Sequence, residues 1–445
     1  MNHEYISRVI DLTHPEKNII HNMTNEEARQ VLQSGDSDAV RKIDGQFALL
    51  SVEGKTIRLA RSIGRPLRYF IAKRMEGPSL IVAERIDVIY EYLKAEGLDD
   101  QYHPSYTRMV PAHYITTIQL LGCPDPNPVY DRFFTPKRNK YPVDDLDKLG
   151  AVYMEALYAE IKKWLKNRAT TGPIGVSFSA GVDSGSVFLL TYHALLELGE
   201  SPSRLKAFTL SVDGGGADVL QARDFLEKVG LGLFLEEIEV SSAALDWKNA
   251  VRITEDYKAL DIQSATMNLA LLQGIRERYP NWKYVLDGDG GDENMKDYPI
   301  EENPELTIRS VLNNLMLYQE GWGVFSMKHS VTYSGGLSRS HTRTSAPADA
   351  LGFEGFSPYT LPNVIEIAEG LPFIELTEWS HEKLYDLKGS VVASGIKAIT
   401  GMDMPVFAKR RFQHGAVEQP VFHQLFPEKD STYRKAFQAM YEQLT

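Results

Sequence analysis

The stretch IGVSFSAGVDSGSVFLL, residues 174–190, passes from a short apolar run through a small polar corner into a second apolar run with helical rhythm. The same alternation continues downstream. The apolar runs 174–178 (IGVSF), 207–212 (AFTLSV), 233–240 (LFLEEIEV) and 282–286 (WKYVL) are separated by segments of helical period such as 218–229 (DVLQARDFLEKV) and 265–279 (ATMNLALLQGIRERY). Strands joined by crossovers of this length predict a mainly parallel sheet with helices on its faces, which binds ligands at the carboxyl ends of its strands.

The 445 residues suffice for two or three domains, and 43% hydrophobic with 24% charged residues is the balance of a chain that buries a full core. A formal charge of −12 argues against a nucleic-acid surface, which draws its affinity from clustered Lys and Arg. One cysteine, Cys123, excludes an internal disulfide, a multi-cysteine zinc cluster and a CxxC pair. No apolar run approaches the ~20 residues of a membrane helix, and the opening residues lack a secretory pattern. A cytoplasmic location is expected.

Ahead of the α/β region, the runs 47–52, 56–60, 69–72 and 80–83, the first pair joined by Glu-Gly-Lys, predict one small, largely antiparallel sheet layer. Residues 122–142, with five prolines, read as a linker. Leu146, Leu149, Tyr153, Leu157, Ile161 and Trp164 recur at helical spacing, with Asp144 or Asp145 as the cap. The fold class is therefore α/β: a C-terminal parallel sheet flanked by helices (141–445) and a smaller, mainly antiparallel α+β domain (1–140).

The corner 179–184 follows a buried strand and opens a helix, so its backbone N–H groups and the helix dipole favour an anion. Gly181 permits close approach, Ser179 and Ser184 carry hydroxyl donors, and Asp183 needs a metal to join a phosphate cradle, which points to Mg2+ on a polyphosphate. An ordinary strand-to-helix turn whose Asp and Ser cap the helix fits the same spacing.

Ser179-Ala180-Gly181-Val182-Asp183-Ser184 resembles the SGGxDS pyrophosphate loop of N-type ATP pyrophosphatases, with Ala180 in place of one glycine. Further segments follow in the order found in asparagine synthetase. The run 207–230 is similar to that family's second strand and helix and places Leu210 where backbone borders adenine. The run YVLDGDGGDEN, 284–294, resembles the LSGEGSDE turn. Four acids there, at 287, 289, 292 and 293, repel one another unless a cation compensates them. The run 352–373 resembles GxEARVPFLD and its following helix, and 404–417 resembles the KxxFxxG segment. The resemblance, to the asparagine synthetase and β-lactam synthetase family, covers roughly residues 40–420. It implies an adenine nucleotide α hydrolase-like fold, ATP as substrate, Mg2+ on Asp183 and Asp292, and ATP contacts at Phe178, Ser179, Gly181, Asp183, Ser184, Leu210, Asp287, Gly288 and Lys388. Lys409 falls at the lysine that meets the α-phosphate, beside Arg410 and Arg411. Glu354 and Asp289 fall at acids that orient or deprotonate the attacking nitrogen.

The departures matter as much. Glutamine-hydrolysing members begin with a nucleophilic cysteine, whereas here Met1 precedes Asn2. The front similarity starts near residue 43, so incomplete glutaminase layers, a degenerate amidotransferase domain and no glutamine hydrolysis are expected. The resemblance then implies an amide ligase that activates a small carboxylate as its acyl adenylate and takes ammonia or a small amine. β-Lactam synthetases carry a tyrosine where this chain has Asp289. Intramolecular cyclisation, sulfur transfer onto tRNA and an inactive nucleotide-binding scaffold are the rival readings. Family members are often dimers, and neither membrane nor nucleic acid is an expected partner. The insertion 300–339 departs from the family pattern and is where specificity is expected.

Overall fold

The computed structural model describes residues 6, 8–119, 128–142, 145–297, 341–408 and 415–441. The front part comprises β1 (Arg8–Leu12), β2 (Ile19–Ile20), α1 (Asn25–Ser34), α2 (Ser37–Arg41), β3 (Gly45–Gln46), β4 (Ala48–Glu53), β5 (Thr56–Arg61), β6 (Arg68–Ala72), β7 (Ser79–Ala83), α3 (Ile86–Ala95), β8 (Arg108–Met109), β9 (Tyr114–Gln119) and β10 (Val129–Arg132). These strands form two four-stranded sheets, β1-β7-β6-β8 and β10-β9-β5-β4, and a short β2-β3 pair. The single layer expected from the sequence is thus two. The reason lies in side-chain alternation: Leu50, Ile57 and Leu59 join Tyr69, Leu80 and Val82 in a core between the sheets. The outward residues Leu49, Ala60 and Ile115 pack under α1 and α2. On the other side, Phe70, Ile81 and Ala83 pack under α3. Two sheets with helices on both outer faces thus make up the described front part. β1 adds to β7 in parallel, while the other front pairings are antiparallel.

The linker reading also needs correction. Val129–Arg132 is an edge strand paired antiparallel with β9, and its prolines, Pro126 and Pro128, precede it, as befits an edge. Cys123 lies outside the described residues.

The second part contains α4 (Leu146–Asn167), β11 (Ile174–Ser177), α5 (Val182–Glu197), β12 (Leu205–Val212), α6 (Asp218–Lys228), β13 (Leu235–Val240), α7 (Trp247–Thr254), α8 (Ala259–Arg278), β14 (Tyr284–Leu286), α9 (Gly291–Asn294) and β15 (Glu354–Phe356). Asp145 caps α4, its carboxylate accepting from the Lys148 N–H at 3.0 Å. The sheet order is β13-β12-β11-β14-β15 and every pairing is parallel, as expected. From β11 the chain winds outward through β12 to β13, then returns to β14 on the other side. This reversal opens a crevice at the carboxyl ends of β11 and β14, the usual ligand position in such sheets. One face is covered by α4, α5 and the helix Glu382–Thr400, the other by α8, with Phe208, Leu210, Ile238, Met267 and Leu271 in the core beneath it.

Glu255, which ends α7 at a left-handed φ of 53°, binds the two parts together. Its carboxylate accepts from the backbone N–H groups of Ile86 at 2.9 Å and Asp87 at 3.2 Å. It also pairs with Arg68 and Arg85, each at 3.3 Å. The N-cap residue of α3 makes no side-chain cap, so Glu255 supplies that acceptor from a distant helix. No helix among the described residues is long and apolar enough to cross a membrane.

Candidate active site

The corner after β11 is shaped by its own hydroxyls. The Ser179 N–H donates to Ser184 Oγ at 3.3 Å, the two hydroxyls lie 3.3 Å apart, and the Gly181 N–H donates to Ser179 Oγ at 3.4 Å. Gly181 is the N-cap of the 16-residue α5 and supplies no side-chain cap, so the first N–H groups of the helix are turned to whatever enters the crevice. Ala180 sits at φ 56°, in the left-handed region, at the position where the SGGxDS loop has glycine. A β-carbon there costs roughly 1 kcal/mol. Ala180→Gly is accordingly expected to raise stability by about that amount, read as a higher melting temperature with an unchanged far-UV spectrum.

The turn after β14 is pressed against this corner. A β-carbon at Gly288 would fall 2.8 Å from the Ser184 nitrogen, and one at Gly291 would fall 2.2 Å from Asp183 Oδ1. Only glycine allows this approach. Gly290 at φ 98° opens α9, Asn294 Nδ2 donates to the Tyr359 carbonyl at 2.9 Å, and Lys296 pairs with Glu369 at 2.9 Å in the interior. Those anchors fix the direction of Asp292.

The result is convergence on one ammonium. Lys388, on the helix Glu382–Thr400, donates from Nζ to Asp183 Oδ2 at 2.6 Å and to Asp292 Oδ1, with Asp297 Oδ2 at 3.7 Å. Lys388 is 2% exposed, while the side chains of Asp183 and Asp292 are 20% and 39% exposed. Burial alone would lower the lysine pKa, but the three carboxylates outweigh it and hold the pKa well above its ordinary value. Counting the described residues, three carboxylates around one ammonium leave a local charge of about −2.

Those donors suit a magnesium ion. They are hard oxygens, the Lys388 ammonium already stands where a cation is required, and Mg2+ is usually held by one or two carboxylates completed by substrate phosphates. Among the described residues no set of three or more His, Cys, Asp and Glu side chains is grouped so as to hold a metal ion.

The acids of the turn are not gathered on one partner: among the described residues Asp292 meets Lys388, while Asp287 and Asp289 have other partners. Asp287 is buried, accepting from Ser357 Oγ at 2.8 Å and from the Asp289 N–H at 2.9 Å. Burial and the adjacent Asp289 push its carboxyl well above the usual range. Asp289 accepts from Thr344 Oγ1 at 2.6 Å, and burial raises it to about 6 against the opposing pull of Arg343. Glu293 is turned inward and buried.

Glu354 is misplaced by the motif comparison. It begins β15 in register with Tyr284, at the entry end of the sheet, and its carboxylate takes Arg168 Nε at 2.6 Å and Lys283 Nζ at 3.8 Å. At the carboxyl end it is Ser357, three residues on, that meets the Asp287 turn. Glu354 is therefore a structural ion-pair residue away from the crevice. The Phe178 ring packs on Phe188 and Phe225, and its N–H and carbonyl bond to the Phe208 carbonyl and Thr209 Oγ1, so it positions Ser179 without facing a ligand. Leu210 is buried in β12, yet its backbone faces the crevice. The Phe208 carbonyl accepts from the Phe178 N–H and the Val212 N–H donates to the Ala416 carbonyl on the same side of β12, and alternate residues share a side, so Leu210 fronts the gap between them past the end of β11. Lys409, Arg410, Arg411 and the insertion 300–339 lie outside the described residues. Thr344 and Ser357, which hold the two acids, and Asp297, beside Lys388, were not singled out from sequence; Ser357 stands inside the 352–373 motif, but Thr344 follows the insertion with no motif around it.

A cavity of about 760 Å3 lies elsewhere, between the front sheets and helices α7 and α8, lined by Arg85, Glu255, Thr266 and His341 among others. It includes neither the 179–184 corner nor the 287–292 turn.

The family model described as asparagine synthase matches residues 157–357, which contain every strand of the parallel sheet, Asp183 and Asp292. No curated protein matches the chain.

Proposed function

We propose, from the match of residues 157–357 to the asparagine synthase family model, that this chain is an ATP-dependent amide ligase that activates a small carboxylate by adenylation and passes it to ammonia or an amine. The observation that carries this reading is the meeting of Asp183 and Asp292 at one cation position in front of an uncapped helix N-terminus. A carboxylate is a poor electrophile until its oxygen attacks the α-phosphorus and pyrophosphate departs. The N–H groups of α5 receive the leaving charge, and Ser179 and Ser184 hold the loop around it. Mg2+, when bound, would rest on Asp183 and Asp292 and neutralise the departing pyrophosphate. Lys388 keeps the two carboxylates in place from beneath. Lys409 is proposed to stabilise charge at the α-phosphorus, and the Leu210 backbone and Gly288 to border the nucleotide. After adenylation, nitrogen attacks the acyl carbon and AMP leaves.

Asp289 is the base we propose for the attacking nitrogen. With its carboxyl raised to about 6, the charged, proton-accepting form grows as pH rises. Amide formation is expected to increase between about pH 5 and pH 7 and then level. Thr344→Val, which removes a hydrogen bond that favours the carboxylate, shifts that rise to higher pH. The same raised value makes Asp289 favour the folded state most at acid pH, an effect lost as pH passes about 6. A flat profile from pH 5 to 8 contradicts the assignment.

The front sheets are proposed to be a former glutaminase layer that hydrolyses no glutamine, since the one cysteine is Cys123. The division at residues 140 and 141 and a cytoplasmic setting belong to the same proposal. ATP–pyrophosphate exchange with a panel of carboxylic acids tests the whole: acid-dependent exchange with AMP as product is expected. Phosphate and ADP as products, or glutamate released in step with amide, overturn it.

A further inference from the structure

The placement of Lys388 has a meaning beyond holding two side chains. It reaches the acidic pair from the protein interior at 2% exposure, while Asp183 and Asp292 present their outer sides to solvent at 20% and 39%. A divalent ion approaching from outside thus meets carboxylates whose charge is already shared with an ammonium that stays in contact. Asp297, at 3.7 Å from the same nitrogen, supplies the third negative charge that helps retain it. We propose that Lys388 is a built-in counter-cation that prevents Asp183 and Asp292 from holding a free divalent ion, so that the ion enters only as its complex with a polyphosphate.

The physical case is a balance of charge. Two carboxylates alone attract any divalent ion in solution, and a metal seated without nucleotide would oppose the entry of a metal-loaded one. With Asp297 the acidic cluster would carry about −3 without the ammonium; Nζ, within hydrogen-bond distance of Asp183 and Asp292, brings it to about −2 and repels an incoming ion at a few ångströms, away from bulk water. A polyphosphate restores the attraction by adding its own negative oxygens on the solvent side, where α5 offers its N–H groups. Magnesium also gives up water reluctantly and is seldom held by a small protein set unaided. The lysine thereby sets what is recognised: the metal–nucleotide complex as a unit.

This inference rests on the nucleotide site proposed above. Its test uses the full chain and Mn2+ as the probe, measured as metal retained with the protein in equilibrium dialysis at a fixed free Mn2+ concentration, with and without α,β-methylene ATP. The wild type is expected to take up Mn2+ weakly alone and about tenfold or more tightly with the analogue. Lys388→Met is expected to bind Mn2+ alone about tenfold or more tightly than the wild type, and its melting temperature is expected to rise with Mn2+ alone. Lys388→Gln keeps a polar head for the carboxylates, removes the charge, and is expected to behave likewise should the methionine variant fail to fold. Equal uptake of Mn2+ by the wild type with and without analogue overturns the proposal without recourse to any variant. So does a lysine variant whose affinity for Mn2+ alone stays within about threefold of the wild type. A wild type that binds no analogue, with or without metal, overturns the nucleotide site and this inference together.

Discussion

Asp183→Asn is expected to lower carboxylate-dependent ATP–pyrophosphate exchange by on the order of 10³-fold while leaving the fold intact. The substitution keeps size and shape but removes one of the two charges that meet at Lys388. Three losses then coincide. The cation position becomes lopsided, with Asp292 the remaining charged ligand of the pair; Lys388 loses the partner at 2.6 Å; and the first turn of α5 loses the acid that sits at the pyrophosphate end. Because the side chain lies at a helix start and is partly exposed, the stability cost is small by comparison. Exchange kinetics with a melting curve on the same sample separate the two. If exchange survives within about tenfold of the wild type, Asp183 is not part of the phosphate machinery.

Glu255→Ala is expected to destabilise the chain by about 3–5 kcal/mol, the largest stability effect of any single change considered. Glu255 and Arg68 are 2% and 1% exposed, and burial pushes the carboxyl upward and the guanidinium downward despite their pairing. A pair desolvated to this extent adds little net stability over well-packed apolar residues. Breaking it is another matter, for Arg68 keeps its charge in the interior and the N–H groups of Ile86 and Asp87 lose their acceptor. Glu255→Gln retains an acceptor for α3 and is expected to fall between alanine and wild type. Urea denaturation followed at several wavelengths reads both. A loss under about 1 kcal/mol for alanine shows that the front sheets are not held by this contact.

Local patterns made the second half of the chain readable. The strand-to-helix corner at 174–190, the crossover spacing and the Asp145 cap each depend on neighbours within about one turn or one strand, and each stands as expected. The meeting of Asp183 with Asp292 was legible through motif order, since a parallel sheet gathers its strand ends at one edge. Where contacts bridge long separations, the reading failed. Apolar alternation in β4 and β5 does not say that Leu50 faces a second sheet and Leu49 a helix. Glu354 was placed by its position along a motif, but a strand has two ends, and the residue at the carboxyl end is Ser357. The acids at 287, 289 and 292 looked like one repelling cluster because their partners, Ser357, Thr344 and Lys388, are far away in sequence. Lys388 was expected on the nucleotide; its contact with both acids needed the helix Glu382–Thr400 to be packed across the sheet before it became visible.

A crystal structure with Mg2+ and α,β-methylene ATP examines the central claim whichever carboxylate the enzyme activates. The account predicts the triphosphate along Ser179–Ser184 at the start of α5, with the ion touching both Asp183 and Asp292. A triphosphate bound elsewhere, or an ion that touches neither carboxylate, contradicts it.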